Sequence, residues 1–410
     1  MGLESTEPEP PNNAADPTSW RSPASLSIGA ASFFSDAGYE VPTSLLPSFL
    51  TATLGAPAAA LGIIEGVSDA LKGVAKLGGG ALADDPRQRV RSAVGGYTVT
   101  AVLSAAIGAA TSAVQVGVLR AGAWAAAGLR GPSRNALLAD AVPRQHYGRA
   151  YGFERAMDNL GAIVGPLLAI ALVASVGIRN AILLSVVPGL LAVAAILYAI
   201  RRIPRQQPRE HRPLRLRVRP VFATPLRRLA PGIALFEIGN VAATLLILRA
   251  TELLTPRLGT DTAVTSAIAL YILYNATATL SSFPAGRATD RWGGLAVLVT
   301  GVVLFAVAYL GFALTGPSIV VLALCFAAAG VAIGCVETAE NTAVASHAPD
   351  EVRGSAFGLL AATQSFGNLA ASSVAGLLWT LVGPVAAFTY AGTLMVLSVG
   401  ALSASLASSR

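Results

Sequence analysis

The only two lysines of the chain, Lys72 and Lys76, share one apolar stretch, 58–83, with Glu65 and Asp69. At about 100° per residue, steps of four, three and four bring these side chains within about 60° of one another on a helix. One otherwise apolar helix therefore carries a charged stripe, acidic at one end and basic at the other. The stretch before it, 26–50, adds Asp36 and Glu40, one turn apart. Such groups suit proton uptake and release, because neighbouring acids resist ionising together and a desolvated lysine changes protonation readily. Two other readings are open: static ion pairs between helices, or a divalent cation on the hard oxygens of Asp36, Glu40, Glu65 and Asp69.

The elements that must position these groups read as membrane spans. The 410 residues are 54% hydrophobic and 12% charged, with mean hydropathy +0.62; soluble domains carry about a quarter charged residues. Apolar runs of some 20 residues, each long enough for a hydrocarbon core of about 30 Å, recur near 25–50, 57–83, 92–112, 114–136, 148–174 and 178–200. Six more follow at 229–254, 262–286, 293–315, 317–343, 353–382 and 385–406. The expected fold is an all-α membrane protein of twelve transmembrane helices, in an N-terminal six-helix bundle (25–200) and a C-terminal one (229–410).

A polar, Pro-rich stretch over 1–24 reads as a disordered tail. It lacks the basic start and apolar core of a signal peptide. Residues 201–228 hold ten arginines and read as a basic linker. Arginine also dominates alternate connections (Arg87, Arg89, Arg91, Arg144, Arg149, Arg287, Arg291, Arg353), which places both termini and the linker on the cytoplasmic side of a multi-pass inner-membrane protein. The net charge of +7 is concentrated there, where it would meet anionic lipid headgroups. Nucleic-acid binding is not expected, because no aromatics interleave the arginines. Cys325 and Cys335 fit no redox or zinc spacing, and His146, His211 and His347 all fall in polar connections.

Two unrelated motifs repeat at one offset. Gly80 and Asp84 recur as Gly286 and Asp290, 206 positions on, and the segment around Gly148 recurs around Gly354, again 206 on. Duplicated halves in parallel orientation are the consequence, an arrangement that places a site between repeats.

From residue 25 to 406 the chain resembles the major facilitator superfamily. The family's loop pattern G-x-x-x-D-R-x-G-R-R is matched in the second half by Gly286, Asp290, Arg291 and Gly293. The first half keeps Gly80 and Asp84 but continues with Asp85 and Pro86. Gly161, Gly165 and Pro166 resemble the family's G-x-x-x-G-P element of proton antiporters, and Arg120 stands where the family often has a membrane arginine. The resemblance implies a secondary transporter exporting a small molecule in exchange for protons by alternating access, a monomer without cofactor. No nucleotide-binding loop, nucleophile constellation or metal spacing suggests an enzyme.

Counting about 1.5 Å per residue, Asp36 and Lys72 share a depth of about 18 Å. Asp36 and Glu40 are the expected proton carriers, with Lys72 or Arg120 compensating. Glu65, Asp69, Phe33, Tyr39, Glu237, Asn240, Tyr271 and Asn275 are expected to line a substrate cavity, Asn275 being Asp69 moved by 206. Lys76 is expected to snorkel toward the cytoplasm. A gate is expected from Gly80, Asp84, Gly286, Asp290 and Arg291, from Glu154, Arg155 and Asp158, and from Glu337 and Glu340. Gly161, Gly165 and Pro166 are expected to seal span 5 against span 8 through small-residue packing.

Overall fold

The computed structural model describes residues 19–203 and 215–407, and among them the chain is helical with no strand. The helices are α1 (Pro23–Ser48), α2 (Ala58–Ala83), α3 (Pro86–Ala106), α4 (Ala113–Ala141), α5 (Tyr147–Leu184), α6 (Val186–Arg202) and α7 (Val218–Phe222). They continue as α8 (Leu226–Gly239), α9 (Ala243–Leu258), α10 (Thr260–Trp292), α11 (Gly294–Leu314), α12 (Ile319–His347), α13 (Arg353–Leu381) and α14 (Pro384–Ala407). Seven segments are long and apolar enough to cross a membrane by length and composition. Helix α2, at 26 residues, is longer than three of them, but its four charges spread along the helix keep it out of that class. Most of the expected tail and the middle of the expected linker lie outside the described residues.

Local signals set the boundaries. Ser22 caps α1, its hydroxyl accepting from Ser25 N at 3.1 Å. Asp85 caps α3 by accepting from Arg87 N (2.8 Å) and Gln88 N (3.2 Å), with Pro86 in the first turn, where its missing N–H costs nothing. The departure from the family's loop pattern at Asp85 and Pro86 is thus a helix start. Gly177 takes φ 78°, ψ 166°, a break inside α5 at the expected join of the fifth and sixth spans.

One expected span is not continuous. The seventh, at 229–254, divides into α8 and α9 across Asn240, Val241 and Ala242. The backbone groups freed there are taken up by α13: Asn368 Nδ2 donates to Asn240 O at 3.1 Å, and Ala242 N donates to Ser372 Oγ at 3.0 Å. Unpaired backbone groups are costly in an apolar setting, so a broken helix persists where a neighbour supplies partners.

Packing sorts the helices into two groups. α1 lies against α5 and α6, α2 against α4, and α3 against α4 and α6; α10 and α11 lie against α12, and α14 against α8, α11 and α13. The groups meet through α5 on α10 and α2 on α13. These seams are tight at one end only. Along α2, a Cβ on Gly80 would come 2.8 Å from Gly358 Cα and one on Gly73 3.4 Å from Ser365 Cβ, whereas Gly66 and Gly62 face nothing within 4 Å. The groups touch where the repeated glycine and aspartate motifs lie and diverge toward the opposite end.

Candidate functional site

Between the diverging groups lies a cavity of about 620 Å³. Its charged lining comes from α1 (Asp36), α2 (Asp69, Lys72, Lys76), α4 (Arg130, Arg134), α5 (Arg155, Asp158), α8 (Glu237) and α12 (Glu337). Tyr39, Trp124, Asn135, Asn240, Asn341 and the α13 residues Gln364, Ser365 and Asn368 also line it. These polar side chains stand on helices whose outer faces are apolar, so the charge is gathered at the seam.

Trp124 is the hub of one wall. Its Nε1 donates to Asp69 Oδ1 at 3.0 Å, Tyr39 meets it edge-on with centroids 5.3 Å apart, and Lys72 Nζ lies 5.0 Å from its centroid. Arg120 lies over the same ring at 3.4 Å, pairs with Glu65 at 3.0 Å and donates to Thr43 Oγ1 at 2.9 Å. Arg120 is buried, and its guanidinium is committed to this cluster rather than to Asp36.

A charge network closes the narrow end of the cavity. Arg134 Nη1 reaches Glu154 (2.9 Å), Asp158 (3.2 Å) and Ser32 Oγ (3.0 Å), and Ser32 Oγ donates to Glu154 at 2.7 Å. Arg155 pairs with Asp158 at 2.7 Å on its own helix and with Glu337 at 3.1 Å across the seam. Asp36 and Asp158 both line this part of the cavity, where α5 lies directly on α1.

Beyond the network the halves are sealed. Asp84 accepts from Ser355 N at 2.9 Å and from its hydroxyl, at the start of α13; Asp290 accepts from Gly148 N (2.7 Å) and Arg149 N (3.2 Å), at the start of α5. Each carboxylate thus meets unpaired N–H groups and the positive end of a helix from the other half. Burial pushes both carboxyls up from their ordinary range, and those donors oppose the rise. Arg353 reaches Asp140 at 3.4 Å and also pairs with Asp350, Arg89 pairs with Asp140, and Asn135 Nδ2 donates to Asn341 Oδ1 at 2.9 Å. The linker joins in, with Arg217 N donating to Ser355 Oγ at 3.0 Å.

Several expectations are corrected by this geometry. Lys76 does not snorkel; its Nζ donates to Ser365 Oγ of α13 at 2.7 Å, because α13 crosses α2 at that level. Gly161 and Gly165 pack on α1, where a Cβ on Gly161 would come 2.9 Å from Asp36 Cβ and one on Gly165 3.0 Å from Ala37 O. The contact with α10, the eighth span, belongs instead to Gly148 and Gly152, which face Gly286 and Ser282. Phe33, Glu65, Tyr271 and Asn275 do not line the cavity: Phe33 packs on Phe34, Tyr271 stacks on Tyr274, and the Asn275 amide donates to Tyr271 O of its own helix. Glu40 also lies outside the lining, near Gly165. Glu340 is buried behind it and accepts from Gln364 Nε2 at 2.9 Å. Arg291 is exposed beside Trp292, away from the seal. Pro166 sits within α5.

The reading of the residues passed over Trp124, Arg130, Arg134, Asn135 and Gln364. Arg130 and Arg134 carried a signal, two arginines one turn apart in an apolar run; Asn135 carried another, standing 206 positions before Asn341.

A helical bundle split by a polar cavity and sealed at one end is the architecture of a membrane transporter. The chain belongs to the Major Facilitator Superfamily, whose family model matches residues 28–255 and 229–407. It is a multi-pass membrane protein of a transporter family. An uncharacterised transporter of this superfamily from Methanocaldococcus jannaschii is 26% identical over 382 residues, covering 90% of this chain and 92% of that protein. The fold is similar to that of a bacterial homologue of the iron transporter ferroportin in an outward-facing state, with TM-score 0.75, 16% identity and coverage of 94% of this chain and 100% of that one. It is also similar to a human organic anion transporter, with TM-score 0.72, 17% identity and coverage of 93% and 99%. At these identities the likeness to the solved structures is one of fold alone.

Proposed function

We propose that the protein is a proton-coupled exporter of a small molecule in the cytoplasmic membrane, akin to the drug-antiporter-like group. It works as a monomer with both termini and the linker in the cytoplasm. Twelve spans form two pseudo-symmetric bundles, 25–200 and 229–410, with α8 and α9 together making the seventh. The common offset of 206 supports this, since Asp84 and Asp290 cap the partner half's helices at Ser355 and Arg149, themselves 206 apart. The sealed end carries the arginine-rich connections, so the cavity opens outward.

The juxtaposition of Asp36 and Asp158, two carboxyls lining one cavity where α5 lies on α1, carries the reading, with one proton proposed to be shared between them. With the shared proton present, Asp158 holds Arg155, and Arg155 holds Glu337 across the seam. Once the proton leaves, two anions repel at one site, and the guanidinium groups of Arg134 and Arg155 are drawn to new positions. Gly161 and Gly165 let α5 lie directly on α1 beside Asp36, so movement at the pair is passed to the helix carrying the seal. Proton occupancy and the state of the seam are thereby linked, as exchange requires. The divalent-cation reading is less favoured, because no group of three or more His, Cys, Asp or Glu able to hold a metal occurs among the described residues. Glu65, Asp158 and Glu337 are each engaged by arginine instead.

The test is flux in proteoliposomes with an imposed pH gradient, using a compound that stabilises the purified protein. Asp36→Asn and Asp158→Asn are expected to abolish gradient-driven flux while retaining counterflow, and Lys72→Met to weaken both. Full gradient-driven flux in both Asn variants would overturn the coupling role.

A further inference from the structure

The two walls of the cavity differ in charge, and their charged groups differ in how well they are satisfied. On the N-terminal wall, Lys72 makes no hydrogen bond or ion pair among the described residues and lies over the Trp124 ring with Asp69 and Asp36 as the nearby acids, while Lys76 spends one of its three donors on Ser365. Arg130 lies 4.1 Å over the Tyr97 ring, is 6% exposed, and leaves Nη1 without a partner. Of the acids of that wall, Asp69 accepts from Trp124 Nε1, and Asp158 is held by Arg134 and Arg155. On the opposite wall Glu237 is 3% exposed and makes no ion pair among the described residues; Asn240, Glu337, Glu340 and, across the cavity, Lys76 are its polar and charged neighbours. α13 crosses so closely at Gly367 that a Cβ there would come 2.9 Å from Glu237 C, which fixes the helix bearing the carboxylate against the cavity.

We infer that the cavity binds a zwitterion, its acidic group held by Lys72 and Lys76 with Arg130 behind them, and its cationic group held by Glu237. This rests on the transport reading and adds the substrate class. A lone anion would leave Glu237 buried without a direct ion-pair partner, and a lone cation would enter a pocket already holding two ammonium groups; poorly compensated buried charge is costly in either case. A molecule carrying both charges satisfies both walls. It also bridges the two halves at the level where α8 breaks, so binding draws the open end together.

Thermal stabilisation of the purified full-length protein tests this with two matched trios. One is 6-aminohexanoate, hexanoate and hexylamine; the other is phenylalanine, N-acetylphenylalanine and phenylalanine methyl ester. The zwitterion of at least one trio is expected to bind about tenfold more tightly than either singly charged analogue, the equivalent of one ion pair of about 1.4 kcal/mol. Glu237→Gln, which is isosteric, is expected to erase the preference over the anion, and Lys72→Met or Lys76→Met the preference over the amine. A singly charged compound matching its zwitterion in the wild type, no stabilisation by any of the six, or an unchanged ranking in Glu237→Gln would overturn the assignment. Because binding is read without flux, the two readings separate. A zwitterion that binds but is not carried in proteoliposomes sinks the transport reading alone, and gradient-driven flux of singly charged compounds only sinks this one alone.

Discussion

Asn135 and Asn341 touch, amide to amide at 2.9 Å, and they stand 206 positions apart in the chain. Residues related by a twofold axis can meet each other only on that axis, so this contact marks where the axis of the proposed duplication would pass. It lies between the cavity and the glycine-lined seal.

Removing that contact should loosen the seal, and Asn341→Ala does so without removing the Asn135 acceptor that Arg134 Nε uses. Asn135→Ala and Asn341→Ala are each expected to cost about 1 kcal/mol of the sealed state, and the double variant little more than either single one, because the lost bond is the same. Spin-label distances between the ends of α2 and α13 near Gly80 and Gly358 check this, the expected change being a larger separated population.

Arg155 joins Asp158, part of the proposed proton site, to Glu337 across the seam. Arg155→Gln should therefore reduce gradient-driven flux by tenfold or more, about 1.4 kcal/mol, while leaving ligand-induced stabilisation within about twofold. Flux measured in parallel with binding checks it. Equal losses in both would assign Arg155 to the ligand instead.

The crossing of α5 and α10 has no room for a side chain at Gly152, where a Cβ would come 3.2 Å from Gly286 Cα and closer still to Ser282 O. Gly152→Val should block closure of this end and leave the opposite state accessible. The readout is labelling of cysteines placed in the cavity from the two sides of the membrane, with the expected accessibility reversed relative to the parent.

Burial raises the Asp84 and Asp290 carboxyls in the sealed fold. The sign follows from linkage: each binds its proton more readily folded than unfolded, so its contribution is fully present below the ordinary value of 3.8 and is lost as pH rises through the raised value. Asp84→Asn and Asp290→Asn should flatten that part of the Tm-against-pH curve, because the amide that replaces each carboxyl takes up no proton. Melting of the three proteins from pH 3.5 to pH 7 checks it.

Trp124 joins Asp69, Tyr39, Lys72 and Arg120. Trp124→Phe keeps a ring for both cations but strands the Asp69 carboxylate, whereas Trp124→Leu removes both interactions. Tm is expected to fall in both, further in Leu by the cation–π contribution of about 1–2 kcal/mol.

The helical class and the repeated motifs were legible in the sequence because they rest on local or periodic properties. Apolar length marks the long helices, and Asp84 and Asp290 announce themselves by a shared offset. Helical periodicity put Asp69 and Lys72 on one face of α2, and both line the cavity with Asp36. It could not say which partner each charge would meet. Arg120 went to Glu65 and Lys76 to Ser365 because those pairings depend on how α2, α4 and α13 cross, and crossing geometry is set by close contacts between residues far apart in the chain. The break at Asn240 was hidden for the same reason. The apolar run reads as continuous, and only the Asn368 and Ser372 side chains of α13, more than 120 positions away, make an interrupted helix affordable there.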